Sequence, residues 1–151
     1  MQRWLKYQLN LFLLALSFFS RLPMPRNIQY SPSKMRRAGR YFPLVGWLLA
    51  ALLIAVYWLI APLVGISAAM CLLMILSLLM TGALHEDGLV DTFDGFFGGF
   101  TTERKLAIMK DSRIGTYGTC ALVMALISKF VLLFQIFHLL HLLNMVRLHN
   151  A

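Results

Sequence analysis

Four carboxylates, Glu86, Asp87, Asp91 and Asp94, crowd into the stretch "ALHEDGLVDTFDGFFGG" (83–99), directly after one of the most apolar runs of the chain. The 151 residues hold only six acids, and the other two, Glu103 and Asp111, close a window of 26 residues that contains them all. If 85–95 is helical, a rotation of about 100° per residue puts Asp91 about 40° and Asp94 about 20° from Asp87 on the helical wheel. Three like charges on one face repel each other unless a cation neutralises them. Hard oxygen ligands of this kind suit Mg²⁺ or Mn²⁺, which use a few carboxylates, keep waters and bridge to substrate phosphates. Gly88 and Gly95 each cost a helix about 1 kcal/mol against Ala, and at these positions they would let a ligand approach the backbone.

A second group follows in "KDSRIGTYG" (110–118). Lys110, Ser112 and Arg113 beside Gly115 and a new helix can cradle phosphate oxygens. A metal held by carboxylates next to cations at a membrane face points to transfer of a phosphate-linked group, with an alcohol deprotonated by a free carboxylate. Two other readings stay open. The acids can form a solvated helix extension paired with Arg104, Lys105, Lys110 and Arg113, or line the pathway of a small cation channel or transporter subunit. His85 is compatible with a ligand, a base or an interfacial side chain.

The elements that must position these residues are membrane helices. The chain is 60% hydrophobic with mean hydropathy +0.73, and several runs approach or exceed the length of about 20 residues that crosses a bilayer, which excludes an ordinary soluble domain. Residues 42–66 and 67–84 read as two successive crossings, with Trp47, Tyr57 and Trp58 as interfacial anchors, and a third begins at Gly115. The apolar segment at 7–19 is short and basic at both ends, so an interfacial or re-entrant helix is expected there rather than a simple span. Residues 20–33 read as a Pro-rich loop, with Ser33 as N-cap candidate of a helix carrying Arg36, Arg37 and Arg40. Those arginines are either a positive-inside anchor or phosphate ligands. Residues 96–113 read as a polar connection. The fold class is therefore all-α, a polytopic membrane protein of about three spans plus the N-terminal helix, in a single domain over 1–151.

Of the fourteen Lys and Arg, eight lie in residues 1–40 and four between Arg104 and Arg113. Two crossings return the chain to its starting side, so the basic and acidic segments share one face, and the charge bias makes it cytoplasmic. Cys71 and Cys120 lie inside apolar runs with no partner at ligand spacing, and are expected to be buried small hydrophobes.

The pieces "FFSRLPMP" (18–25), "RYFPLVGWLLA" (40–50), "TGALHEDGLVDTFDGFFGG" (81–99) and "ERKLAIMKDSRIGTYG" (103–118) resemble, in order and spacing, the cobalamin synthases, also called adenosylcobinamide-GDP ribazoletransferases. The resemblance covers most of residues 10–130. It implies a bacterial inner-membrane transferase that joins α-ribazole, or its 5′-phosphate, to adenosylcobinamide-GDP with release of GMP and with Mg²⁺ as cofactor. The family's acidic motif falls on His85, Asp87, Gly88, Leu89, Asp91, Thr92, Asp94 and Gly95, and its basic motif on Lys110, Asp111, Ser112, Arg113 and Gly115. Metal ligation is thereby implied for Asp87, Asp91 and Asp94, phosphate binding for Arg113, Lys110 and Arg40, and the base for Asp94 or Asp111. Glu86 stands at a position often apolar in similar proteins and ranks below the aspartates as a ligand. The expected partners are these substrates and membrane lipid, not nucleic acid, and the sequence does not fix an oligomeric state. Similar proteins carry further membrane helices, so the chain reads as the N-terminal portion of a larger fold, with a tail, "FHLLHLLNMVRLHNA", unlike the family and suggestive of a truncated product.

Overall fold

The structure, a computed structural model, describes residues 1–149, with the side chains of 144, 145 and 147–149 outside that description. They form α1 (Gln2–Phe19), α2 (Pro32–Ala38), a 3₁₀ turn (Gly39–Tyr41), α3 (Phe42–Val64), α4 (Ile66–Thr81), α5 (Leu84–Gly98), α6 (Thr102–Met109) and α7 (Thr116–His149), joined by short loops. The chain is a polytopic helical membrane protein. Pro32–Val64 and Thr116–Leu143 are each long and apolar enough to cross a bilayer, and α4 with α5 meets the same test only as a pair bent by 84°.

Helix α3 is apolar all round, and only Val45 and Tyr57 along it are buried by protein. Such a helix presents its remaining surface to lipid. Gly65 turns α3 back into α4 in a single residue at φ 81°, ψ 164°, a backbone region essentially confined to glycine. The hairpin closes around Ala69 and Met70, with Tyr57 against Phe137 of α7 at a ring separation of 4.3 Å. Small Ala69 lets the backbones approach, which is how helices associate where lipid is as apolar as leucine.

Helix α1 packs on α2 and on the start of α3. Its buried Leu11, Leu14, Ala15 and Leu16 pack on Ala38 of α2 and on Val45, Leu48 and Leu49 in the first turns of α3. It also begins earlier than the apolar pattern at 7–19, because the polar turn with Arg3 and Lys6 is part of the helix. The N-cap of α2 is Ser31 rather than Ser33: the Lys34 amide donates to Ser31 Oγ at 3.2 Å, and Pro32 fits the first helical position, where no amide hydrogen is needed.

Three further expectations are corrected. The helix expected over 67–84 ends early: α4 stops at Thr81 and the chain turns into α5 through left-handed Gly82 (φ 65°) and Ala83 (φ 58°). A side chain at φ > 0 is uncommon, and this strain sits at the start of the acidic helix. The connection at 96–113 contains the end of α5 and all of α6, begun by Thr101, whose hydroxyl accepts the Arg104 amide. Cys71 and Cys120 are exposed and Tyr57 is buried, the reverse of the sequence reading. In a membrane an apolar side chain needs no protein cover, so apolarity stops predicting burial.

Candidate active site

Helix α5 packs lengthwise on α7, antiparallel to it, with α6 across its end. The 34 residues of α7 extend about 51 Å, well beyond a hydrocarbon core of about 30 Å. Its C-terminal half, through Phe130, Leu133 and Phe137, packs on α3 and α4, and its first turns belong to α5. The change of partner falls at Lys129, whose Nζ lies 3.9 Å from Glu86 Oε1. The other carboxylate oxygen of Glu86, Oε2, is buried with no hydrogen-bond partner. Sequence reasoning ranked Glu86 below the aspartates as a ligand and missed Lys129; a lone lysine in a 28-residue apolar stretch was the available signal.

The acidic face of α5 is real, but its members are not equivalent. Asp87 is exposed, Asp91 half-buried and Asp94 buried, at 7% exposure. The Gly115 amide donates to Asp94 Oδ2 at 2.7 Å and the Gly118 amide to Oδ1 at 2.8 Å. Asp94 thus caps α7 from another helix, using both oxygens to satisfy amides at a positive helix end. Glycine is required at Gly115 and Gly118 because a Cβ at either would fall on the Asp94 carboxylate. Gly118 is the site residue that sequence reading did not single out, and its place in a first helical turn was the clue.

The two glycines expected to admit a ligand, Gly88 and Gly95, also separate. A Cβ on Gly88 would meet nothing, so that face is open, as expected. Gly95 is not a ligand approach: its Cβ would strike the Met109 side chain at 2.6 Å, so it is the surface against which α6 packs. His85 is exposed and stacks on Phe19 of α1 at 5.8 Å.

Asp94, Asp111 and Arg113 meet around a groove of about 400 Å³, with Thr116 and Tyr117 of the first turn of α7 on its wall. Asp94 holds the amides of Gly115 and Gly118, and the first-turn amides of Thr116 and Tyr117 have no intrahelical acceptor, so a phosphate oxygen can take them. Arg113 Nη2 donates to Asp111 Oδ2 at 2.6 Å and Arg113 Nε to the same oxygen at 3.0 Å. This pairing holds the Asp111 carboxyl below its ordinary range and the Arg113 guanidinium above its own. Asp111 is thereby a poor base. Lys110 and Ser112 are exposed beside the groove, and Arg40 is separate, its Nε donating to the Arg37 carbonyl at 3.0 Å.

Among the described residues no three His, Cys, Asp or Glu side chains converge on one point. The reason is that Asp94 turns into the end of α7, leaving Asp87 and Asp91 as the carboxylates open on α5. That donor set fits Mg²⁺, which takes one or two carboxylates and completes its shell with water and substrate phosphate. The cations that the solvated-helix reading would pair with α5 form no ion pair with it among the described residues. Within the described residues, Arg113 pairs with Asp111, and the one ion pair to α5 comes from Lys129.

Residues 11–149 match the family model described as cobalamin-5-phosphate synthase, so the tail expected to be unlike the family falls within the match up to residue 149. The chain is 65% identical over 133 residues to an adenosylcobinamide-GDP ribazoletransferase of Pseudoalteromonas atlantica, covering 88% of this chain and 49% of that protein. It is 56% identical over 138 residues to the one of Vibrio parahaemolyticus, with 91% and 52% covered, and 53% identical over 136 residues to that of Shewanella halifaxensis, with 90% and 52% covered. The chain spans about half the length of the curated relatives it matches. No solved structure matches it. On this evidence the chain belongs to the cobalamin-5-phosphate synthase family.

Proposed function

We propose that the chain carries the acidic and phosphate-binding portion of a transferase that joins α-ribazole, or its 5′-phosphate, to adenosylcobinamide-GDP with release of GMP. The observation that carries the reading is the pairing of two open carboxylates, Asp87 and Asp91, with a groove walled by Arg113 and the first turn of α7. A polyanionic substrate bound there would meet cationic and amide donors at one end and, at the other, carboxylates that only a divalent ion makes compatible with phosphate. The relatives' shared name supports the choice of substrate.

In the reaction, a ribose hydroxyl oxygen of the ribazole bonds to the cobinamide-side phosphorus. The bond from that phosphorus to the bridging oxygen breaks, and the bridging oxygen leaves with GMP. Asp87 and Asp91 would hold Mg²⁺, which neutralises charge on the phosphates when bound. Arg113, kept in orientation by Asp111, offers its remaining planar donors to a phosphate oxygen, and the Thr116 and Tyr117 amides offer two more. Asp94 keeps the end of α7 in place, and with both oxygens occupied it is a positioning residue rather than the proton acceptor. The hydroxyl proton would pass to an oxygen of Asp87 or Asp91 that is left free of the metal. The charge distribution supports a cytoplasmic placement of this face in a bacterial inner membrane.

The test is GMP release by membranes carrying the chain, supplied with adenosylcobinamide-GDP and α-ribazole. Release is expected with Mg²⁺ and not without it, and Asp91→Asn should abolish it at an equal level of membrane-inserted protein. Turnover retained by Asp91→Asn removes Asp91 from the metal site, and no release by the unaltered chain removes the reading from this chain.

A further inference from the structure

The N-terminal layer holds a second polar groove that the transfer reaction does not use. It encloses about 570 Å³ between the first turns of α1 and the loop before α2, and its cations, Arg3, Lys6 and Lys34, come from two separate elements. The groove is built rather than incidental. Asn10 Nδ2 donates to the Gln29 carbonyl at 3.0 Å while the Gln29 amide donates back to Asn10 Oδ1 at 2.8 Å, which clamps the loop to α1. Lys34 Nζ donates to Gln29 Oε1 at 2.8 Å, which holds its ammonium at the rim. The floor is apolar, from Leu9, Leu13 and Ile28. No acid precedes Glu86, so no carboxylate in the first 85 residues compensates these charges.

We propose that this groove binds the phosphate headgroup of an anionic phospholipid, with the first part of an acyl chain over Leu9 and Leu13. Cations around an apolar floor match an amphiphile with an anionic head better than a free anion, which gains nothing from the floor. The position agrees, because Lys34 of the groove sits at the start of the Pro32–Val64 span, where headgroups are. Along α1 the groove at Lys6 is about 20 Å from Ser20, beside which the chain bonds to the end of α4 through the Arg21 amide and the Met80 carbonyl. The groove is therefore separate from the acidic helix, and its occupancy does not depend on the transferase reading.

The chain, reconstituted in nanodiscs of equal parts phosphatidylcholine and phosphatidylglycerol and released into the gas phase, should retain phosphatidylglycerol in about tenfold preference by native mass spectrometry. The double variant Lys6→Gln/Lys34→Gln should fall to parity. Lys6→Arg/Lys34→Arg should keep the preference, as should Arg26→Gln/Arg36→Gln, which removes the same charge outside the groove. Parity in the unaltered chain, an undiminished preference in Lys6→Gln/Lys34→Gln, or equal loss in the Arg26→Gln/Arg36→Gln variant overturns the site. Displacement of the lipid by millimolar inorganic phosphate overturns the lipid as occupant.

Discussion

Asp87 and Asp94 are seven residues apart on the same face of α5, yet one is exposed and the other is buried against the end of a different helix. Identical side chains on one face have been given opposite tasks by what docks beside them. At Gly88 nothing lies within 4 Å of where a Cβ would stand, and the exposed Asp87 keeps its charge available to a ligand. At the Gly95 end α6 and α7 close in, and the carboxylate becomes part of the framework. A chemical site and the joint that fixes it are thus built from one repeated residue type, two turns apart.

Asp94→Ala should show the largest effect on that contrast. It removes two charge-assisted hydrogen bonds and strands two amides at the start of α7, a loss of about 3 kcal/mol or more. Asp87→Ala touches no partner among the described residues and should leave stability within about 0.5 kcal/mol. Unfolding by SDS titration from bicelles reads both, and equal losses would erase the distinction between the two ends. Gly118→Ala comes next. Its Cβ must displace the Asp94 carboxylate and the Val90 side chain and carbonyl, overpacking that costs about 1–3 kcal/mol. A neutral Gly118→Ala in the same titration would show that the close approach is not needed.

The Glu86–Lys129 pair marks where α7 passes from α5 to the α3–α4 hairpin, and its effect should be smaller. Lys129→Met leaves Glu86 partly buried and without its cation, and Glu86→Gln/Lys129→Met together should recover most of the loss. A coupling of about 1 kcal/mol is expected from a half-exposed pair at 3.9 Å, and a coupling of zero in the double-mutant cycle would show that the contact does not hold the helices.

The apolar runs that became α3 and α7 were legible because membrane helices announce themselves by length, and the helical face of Asp87, Asp91 and Asp94 was legible from spacing of four and three residues. The division of labour on that face was not. It depends on Gly118, 24 residues from Asp94, and a local period carries no information about which distant backbone docks. The bend at Gly82 and Ala83 was only half-legible, since Gly82 is the residue type a left-handed turn takes but the alanine beside it gives no sign of that conformation. The exposed Cys71 and Cys120 and the buried Tyr57 show the limit of hydropathy in lipid, where apolar surface is stable on either side.

The smallest effect concerns the loop that sets Arg113 at the groove. Asp111 has its carboxyl lowered, first by the Arg113 side-chain hydrogen bond and then by the backbone bond from the Arg113 amide. A carboxylate whose folded value lies below its unfolded value ties the loop at any pH above the unfolded value, and the tie is lost as pH falls through the folded one. The order of this loop should therefore be flat from neutral pH down to the ordinary carboxylate value of 3.8 and fall only below it. The Arg113 side-chain Nε resonance, followed by NMR through an acid titration, reads the tie directly, with Asp111→Asn giving the untied position at all pH values. A midpoint at or above 3.8 would mean that Arg113 is not held by Asp111, and the groove at the acidic end of α5 would then present a mobile guanidinium instead of an aligned one.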